Sequence, residues 1–334
     1  MTPSSPPSFQ PTRIGIVGAT GYVGQELVRL ALQHPHLQLG WLSSKSYAGQ
    51  PFSAVYPAFR GVMDAPCIAD ADWPAHAHEV DAILLALPHG LAAHHITPEA
   101  LATGRTFIDL GADFRLPTQA LYQQWYGETH PHEALLATAT YGLSEWNAEA
   151  IAQSNLIANP GCYPTCTLLG LLPAVKANLI DPTSIVIDAK SGVSGAGRGV
   201  ALGLQYCETN ETLKAYKVAS HRHTPEIEVG LQRFANVEAT VSFTPHLIPM
   251  NRGMLVTTVA KLNQATTATE LQALYEATYA PHPFVRVLPQ GEQPETKHVR
   301  GSNYCDIAVV LDERTQRVVI TSVIDNMLKG AAGQ

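Results

Sequence analysis

The sequence predicts a doubly wound α/β domain followed by an α+β domain, and three observations carry that prediction. Short, nearly continuous apolar runs such as Ile14 to Val17 and Ala82 to Leu87 alternate with helix-length stretches through the first half. This is the texture of parallel strands covered by helices on both faces. After about Cys162 the candidate strands alternate polar and apolar residues in places, as in VEATVSF and RVVITSV, the period of strands with one covered face. A length of 334 residues suits two domains at roughly 150 residues each.

Taken in order, Ile14 to Val17 opens the first sheet. Tyr22 to Gln33 follows as a helix with Leu27, Leu30 and Ala31 on one face, and Leu37 to Leu42, Ala82 to Leu87 and Thr106 to Leu110 continue the strands. The boundary falls near Asn155 to Cys162. Beyond it, Ile185 to Ala189, Val237 to Phe243, Met254 to Ala260, Asp306 to Leu311 and Arg317 to Val323 read as strands of a mixed or antiparallel sheet. Pro225 to Ala235 and Thr269 to Tyr279 read as helices, the second opened by threonines suited to capping.

Composition narrows the function. With 28 acidic against 21 basic side chains the formal charge is -7, so no global basic field draws the chain to nucleic acid or anionic lipid. No apolar run approaches the ~20 residues of a membrane helix. Five cysteines without a CxxC pair read as free thiols in a reducing compartment, so a cytoplasmic protein is expected. Met1 to Pro11 is rich in proline and serine and lacks a charged or apolar signal region. It reads as a leader without fixed structure, not an export signal.

In RIGIVGATGYVGQEL, Gly18, Gly21 and Gly24 follow a strand and open a helix, with Thr20, Tyr22 and Val23 filling the loop. Backbone N–H groups and a helix N-terminus then face a pyrophosphate. An NAD site usually shows an acid about 20 residues on, but none lies between Glu26 and Asp64. The second strand ends instead in Ser43, Ser44 and Lys45, donors that suit a 2'-phosphate, so NADP is the expected cofactor. The same residues would also serve as a plain polar turn.

NPGCYPT puts Cys162 at a strand-to-helix junction, with Pro164 in the first turn. A thiol there feels the positive end of the helix, which is expected to lower its pKa. Cys166, one turn on among leucines, reads as packing. A thiolate nucleophile needs a partner, and SHRHTPEIEVG offers His221, with His223 as the runner-up. No HExxH or Cys/His ligand spacing accompanies them, so no metal is expected.

The motifs GATGYVG, SSKSYAG, ALPHG, GADFRL, YGLSE, NPGCYPT, SGVSGAGR, HRHTPEI, PMNRG and DNMLKGAAGQ, in that order, resemble the N-acetyl-gamma-glutamyl-phosphate reductase family from about Thr12 to Gln334. The resemblance implies a Rossmann NADP domain over 12–160 plus 324–334, completed by a C-terminal helix, and a catalytic and oligomerisation domain over 161–323. It implies NADPH-dependent reduction of an acyl phosphate through a Cys162 thioester, with His221 moving a proton to and from the developing alkoxide, and a homodimer or homotetramer. A related semialdehyde dehydrogenase acting on aspartyl phosphate or a carrier-bound acyl group is the alternative.

Arg115 in GADFRL follows a strand end where ligands gather, and it and His223 are assigned to the substrate. A surface pair of Arg115 with Asp113 is the competing reading. The loop from Ser191 to Arg198 has the composition of an anion nest. Ser191 and Gly192 are assigned to the cofactor, and Ser194 and Arg198 to the substrate, although the sequence leaves open which of the two the loop meets. Leu87 and Pro88 end a strand facing the cofactor, and the resemblance places Asn326 near the nicotinamide, where it begins the returning helix. Relatives usually continue past GAAGQ with further helix.

Overall fold

The computed structural model describes residues 10–334, so the leader expected over Met1–Pro11 lies outside the described residues except for Gln10 and Pro11. Strands β1 (Thr12–Val17), β2 (Leu37–Leu42), β3 (Ala82–Leu85), β4 (Thr106–Asp109), β5 (Thr140–Tyr141) and β6 (Leu156–Ala158) form one sheet in the order β2-β1-β3-β4-β6-β5. Every pairing in it is parallel. Ile14 and Ile16 pack with Leu27 and Val28 of the first helix (Tyr22–Gln33) on one face, while Val17, Ile83 and Phe107 pack in a separate cluster. Two covered faces are why these strands read as continuous apolar runs.

The chain leaves β1 toward β2 and then crosses back to β3 on the other side of β1. That reversal opens a crevice beyond the strand ends, the usual ligand position in such sheets. The Ala86 N–H donates to Val17 O across it at 2.9 Å, which sets the glycine loop beside Leu87 and Pro88.

The second sheet holds β7 (Val186–Ser191), β8 (Lys214–Ala215), β9 (Ser242–Leu247), β10 (Met254–Lys261), β11 (Val285–Val287), β12 (Cys305–Asp312) and β13 (Arg317–Ile324) in the order β11-β12-β13-β10-β7-β9-β8. It is mixed: β7 with β9 and β11 with β12 run parallel, and the other pairs antiparallel. The Cys162–Lys176 helix lies against β10, β13 and the His223–Ala235 helix. Its residues from Tyr163 to Val175 are all buried, as a helix apolar on every side must be.

Several expected boundaries move. The strand expected at Val237 to Phe243 is β9, Ser242–Leu247. Its parallel register with β7 starts at Val186 against Ser242, and the alternating residues before it form the return from the preceding helix, with the Val241 N–H bonded to Glu228. The helix expected from Pro225 begins at His223. The one expected from Thr269 begins at Ala268, with Thr267 and Glu270 in a reciprocal capping box. The C-terminal helix is short, Leu328–Ala332, and packs against both the first helix and the Cys162 helix. Asn326 precedes it. No helix among the described residues is long and apolar enough to cross a membrane.

Candidate active site

A cleft of about 840 Å³ lies between the two sheets' domains, lined by Gly21, Tyr22 and Val23 from one side and Cys162, His221 and His223 from the other. Two segments about 140 residues apart in the sequence, the glycine loop and the thiol, therefore line one cavity.

Local geometry explains the loop. Gly18 has φ +75 and a Cβ there would lie 2.6 Å from Ala86 O, so only glycine fits the turn out of β1. At Gly24 a side chain would strike the backbone of Ala19 at 2.6 Å, which is how the helix closes onto its own loop. Gly21 caps that helix with no side chain on its first N–H groups, leaving the donors that an anion takes.

The residues expected at the cofactor divide. Leu87, Pro88, Ser191 and Asn326 line the cleft with Gly21, Tyr22 and Val23, while Gly18, Thr20, Gly24 and Gly192 lie behind it as loop framework. Ser43 is fully buried and donates to Asp70 at 2.6 Å, and Ser44, also buried, is hydrogen-bonded to Thr20 at 2.6 Å. Of the three residues expected at a 2'-phosphate, Lys45 alone is exposed. Gly192 is fixed by its N–H to Gly253 O at 2.9 Å. Asn326 Nδ2 donates to Ser194 at 3.0 Å and its Oδ1 accepts from Gly253 N at 2.8 Å.

Cys162 starts its helix at the cleft floor. Burial pushes its thiol up to about 11, opposed by the Arg115 guanidinium and by a hydrogen bond from the Tyr163 backbone. The backbone N–H groups at the helix start act in the expected, lowering direction, but burial outweighs them and the nearby positive charge. Glu226 holds the approach to the thiol: it accepts from Gly161 N at 2.8 Å, Tyr141 OH at 2.9 Å and Arg115 Nη1 at 3.2 Å. A side chain on Gly161 would collide with His223 and Arg115, and one on Gly330 would lie 2.7 Å from Cys162 Cβ.

His221 sits among Tyr163, Tyr216 and Phe243, with ring centroids 5.5 to 5.7 Å away. Its Nδ1 accepts the His223 backbone N–H at 3.1 Å, so the neutral ring carries its proton on Nε2. Burial, with Lys217 and Arg222 nearby, lowers its pKa to about 4. His223 is held well below the ordinary range by burial first and then by its charged neighbours. Its Nε2 lies 3.4 Å from Arg115 Nη1.

Arg115 is 6% exposed and donates to Asn159 O, Leu110 O and Glu226. Asp113 instead takes His89 at 2.8 Å, so the competing surface pair does not form. Arg198, expected at the substrate, reaches across to the glycine loop: it donates to Thr20 O at 2.8 Å and Tyr56 OH at 3.2 Å, over the rings of Tyr47 and Tyr56. Glu226 and Gly330 were not singled out by sequence reasoning. Glu226 reads there as a capping residue in HTPE, and nothing local marks Gly330 as the neighbour of Cys162. Among the described residues no group of three or more His, Cys, Asp or Glu is placed to hold a metal ion.

The profile of the semialdehyde dehydrogenase NAD binding domain matches residues 13–154, and that of the semialdehyde dehydrogenase dimerisation domain matches 162–326. Among solved structures, aspartate semialdehyde dehydrogenase II from Vibrio cholerae superposes with a TM-score of 0.73 at 20% identity, covering 97% of this chain and 96% of that one. Aspartate semialdehyde dehydrogenase with NADP from Candida albicans does so with a TM-score of 0.70 at 15% identity, covering 97% and 96%. These likenesses establish the fold. N-acetyl-gamma-glutamyl-phosphate reductases from Brevibacillus brevis and Desulforudis audaxviator are 52% and 51% identical over 322 residues, 96% of this chain and 92% of each relative. At that identity and coverage, this chain belongs to the N-acetyl-gamma-glutamyl-phosphate reductase family.

Proposed function

We propose that this protein reduces N-acetyl-gamma-glutamyl phosphate to N-acetylglutamate 5-semialdehyde with release of phosphate, using NADPH, as a step of arginine biosynthesis. The observation that carries the reading is the single cleft shared by the open N-terminus of the first helix and the Cys162 thiol. NADPH fits one side of it, since Tyr22 and Val23 offer N–H groups that no side chain caps, and the acid that stands near the end of β2, Asp70, is engaged by Ser43. Lys45 is the exposed cation there for a 2'-phosphate, and Arg198 belongs to this cofactor side and not to the substrate. Bound NADPH supplies a hydride to the acyl carbon.

The chain's own residues do the rest. Cys162 Sγ attacks the acyl carbon, the thiol proton departs with the phosphate, and a thioester remains. His221 is the residue we assign to the acyl oxygen. Neutral and protonated on Nε2, it donates a hydrogen bond as negative charge develops, once in each half of the reaction. This narrows the proton-shuttling role expected from the sequence, because accepting a proton on Nε2 would require the His223 N–H bond to break. When the tetrahedral species collapses, Cys162 leaves as thiolate and takes one proton from solvent. Arg115, adjacent to Gly161, is the positive charge nearest the leaving phosphate.

We place the domain division after residue 160, with 324–334 returning to the nucleotide domain, and infer a cytoplasmic homodimer or homotetramer. The test is NADP+ reduction with inorganic phosphate and a panel of semialdehydes. N-acetylglutamate 5-semialdehyde should be the preferred substrate. Cys162→Ser should abolish turnover while NADPH affinity stays within a few fold, and retained turnover would refute the thioester route.

A further inference from the structure

We propose that Lys217, assisted by Arg222, binds the α-carboxylate of the substrate and so selects for an acyl group that carries one. The proposal rests on the function just given, whose substrate is anionic at both ends, and begins from the charges of the cleft. Its cationic side chains are Arg115, Arg198, Lys217 and Arg222. Arg115 is paired with Glu226, donates to Asn159 O and Leu110 O, and is the arginine already placed nearest the leaving phosphate. Arg198 is engaged on Thr20 O and Tyr56 OH, on the cofactor side. Lys217 and Arg222 take part in none of the ion pairs among the described residues, and Arg222 has only the face of Tyr126 at 5.8 Å.

Position supports the assignment. Lys217 and Arg222 enter the cleft on the segment that carries His221, whereas Arg115 stands against Gly161, next to Cys162. In the substrate the α-carboxylate is removed from the acyl carbon by three intervening carbons, roughly 5 Å of extended chain, so the second anion also falls a step away from the attacked centre. The turn that presents Lys217 is itself unusual: Lys217 has φ 45 and Ala219 φ 56, two non-glycine residues in the left-handed region immediately before His221. Such conformations persist where the surrounding structure enforces them, and they gather at ligand sites.

The experiment compares N-acetylglutamate 5-semialdehyde with its α-carboxamide analogue, by calorimetric binding and by phosphate-dependent NADP+ reduction. The wild-type protein should favour the carboxylate at least 10-fold in both. In Lys217→Met, and equally in Lys217→Gln, the preference should fall to within 3-fold, with the KM for inorganic phosphate unchanged. Arg222→Gln should lower the preference less than either Lys217 variant does. Lys214→Met, on the exposed strand nearby, should keep the wild-type ratio. A wild-type protein indifferent to the carboxylate overturns the proposal, as does a Lys217 variant that keeps the preference and raises the phosphate KM. If another acyl semialdehyde in the panel is preferred, the function given above fails, yet loss of carboxylate preference in the Lys217 variants would still uphold this assignment.

Discussion

Replacing Gly330 by alanine should cripple turnover while barely affecting the fold. The new Cβ would lie 2.7 Å from Cys162 Cβ, 3.1 Å from Ile324 Cδ1 and 3.2 Å from Cys162 Cα, against an optimum near ~3.5–4.0 Å for carbon pairs. None of these atoms is the loose end of a long side chain. Ile324 is buried in β13, and the helix that Cys162 starts is buried from Tyr163 to Val175, so relief comes by shifting the thiol by about 1 Å. Overpacking of this kind costs about 1–3 kcal/mol. The φ of Gly330 is not in the left-handed region, so alanine by itself would return about 0.4–1 kcal/mol through the unfolded chain. The net loss therefore stays near 1–2 kcal/mol, a fall of only a few degrees in Tm for a chain this size. Misplacing a reacting group by about 1 Å costs on the order of 100-fold in rate. The assay is kcat for NADP+ reduction alongside NADPH affinity and a thermal melt. Near wild-type kcat in Gly330→Ala would show that this contact does not position the sulfur.

Other outcomes follow from the same geometry. In a Cys207→Ser background, which removes the exposed cysteine, iodoacetamide should alkylate Cys162 about tenfold faster per pH unit from 7 to 10, and a plateau below pH 8 would contradict the raised thiol. Lys45→Gln should narrow the NADPH over NADH preference, and an unchanged ratio would mean that another group reads the 2'-phosphate. Because His221 titrates near 4 in the fold against 6.5 in the open chain, the unfolded state binds its proton first as pH falls. Stability from this residue is therefore intact above about pH 6.5 and declines toward pH 4, by on the order of 3 kcal/mol. Urea unfolding at pH 7 and pH 4.5 should show a smaller difference in His221→Asn than in the wild-type protein, and an equal difference would refute the depressed value.

Much of the architecture was legible because it is written in local patterns. The helix Tyr22–Gln33 and the strand Leu37–Leu42 fall on their expected residues, since their hydrophobic periods are unbroken and bounded by turn residues. The strand after the His223–Ala235 helix was misplaced because the alternation of VEATVSF continues outside the sheet, and only pairing with β7 decides where β9 begins. At the site, Cys162 and the glycine loop are legible through junction chemistry, and both line the cleft. The surroundings of Ser43 and Ser44 were not legible for the opposite reason: a hydroxyl looks free in sequence until burial gives it a partner such as Asp70 or Thr20.

By itself, then, the sequence determined the alternation of strands and helices, the thiol at a helix start and the absence of an acid after β2, all properties of residues within a few positions of each other. Only the tertiary structure decided the enclosure of the thiol, the tautomer of His221, the bonding of Arg198 to the glycine loop and the nearness of Gly330 to Cys162. The thiol depends on enclosure, the tautomer on a turn that brings the His223 N–H onto the ring two residues before it, and the last two on contacts between segments more than a hundred residues apart; none of these exists until the chain has folded.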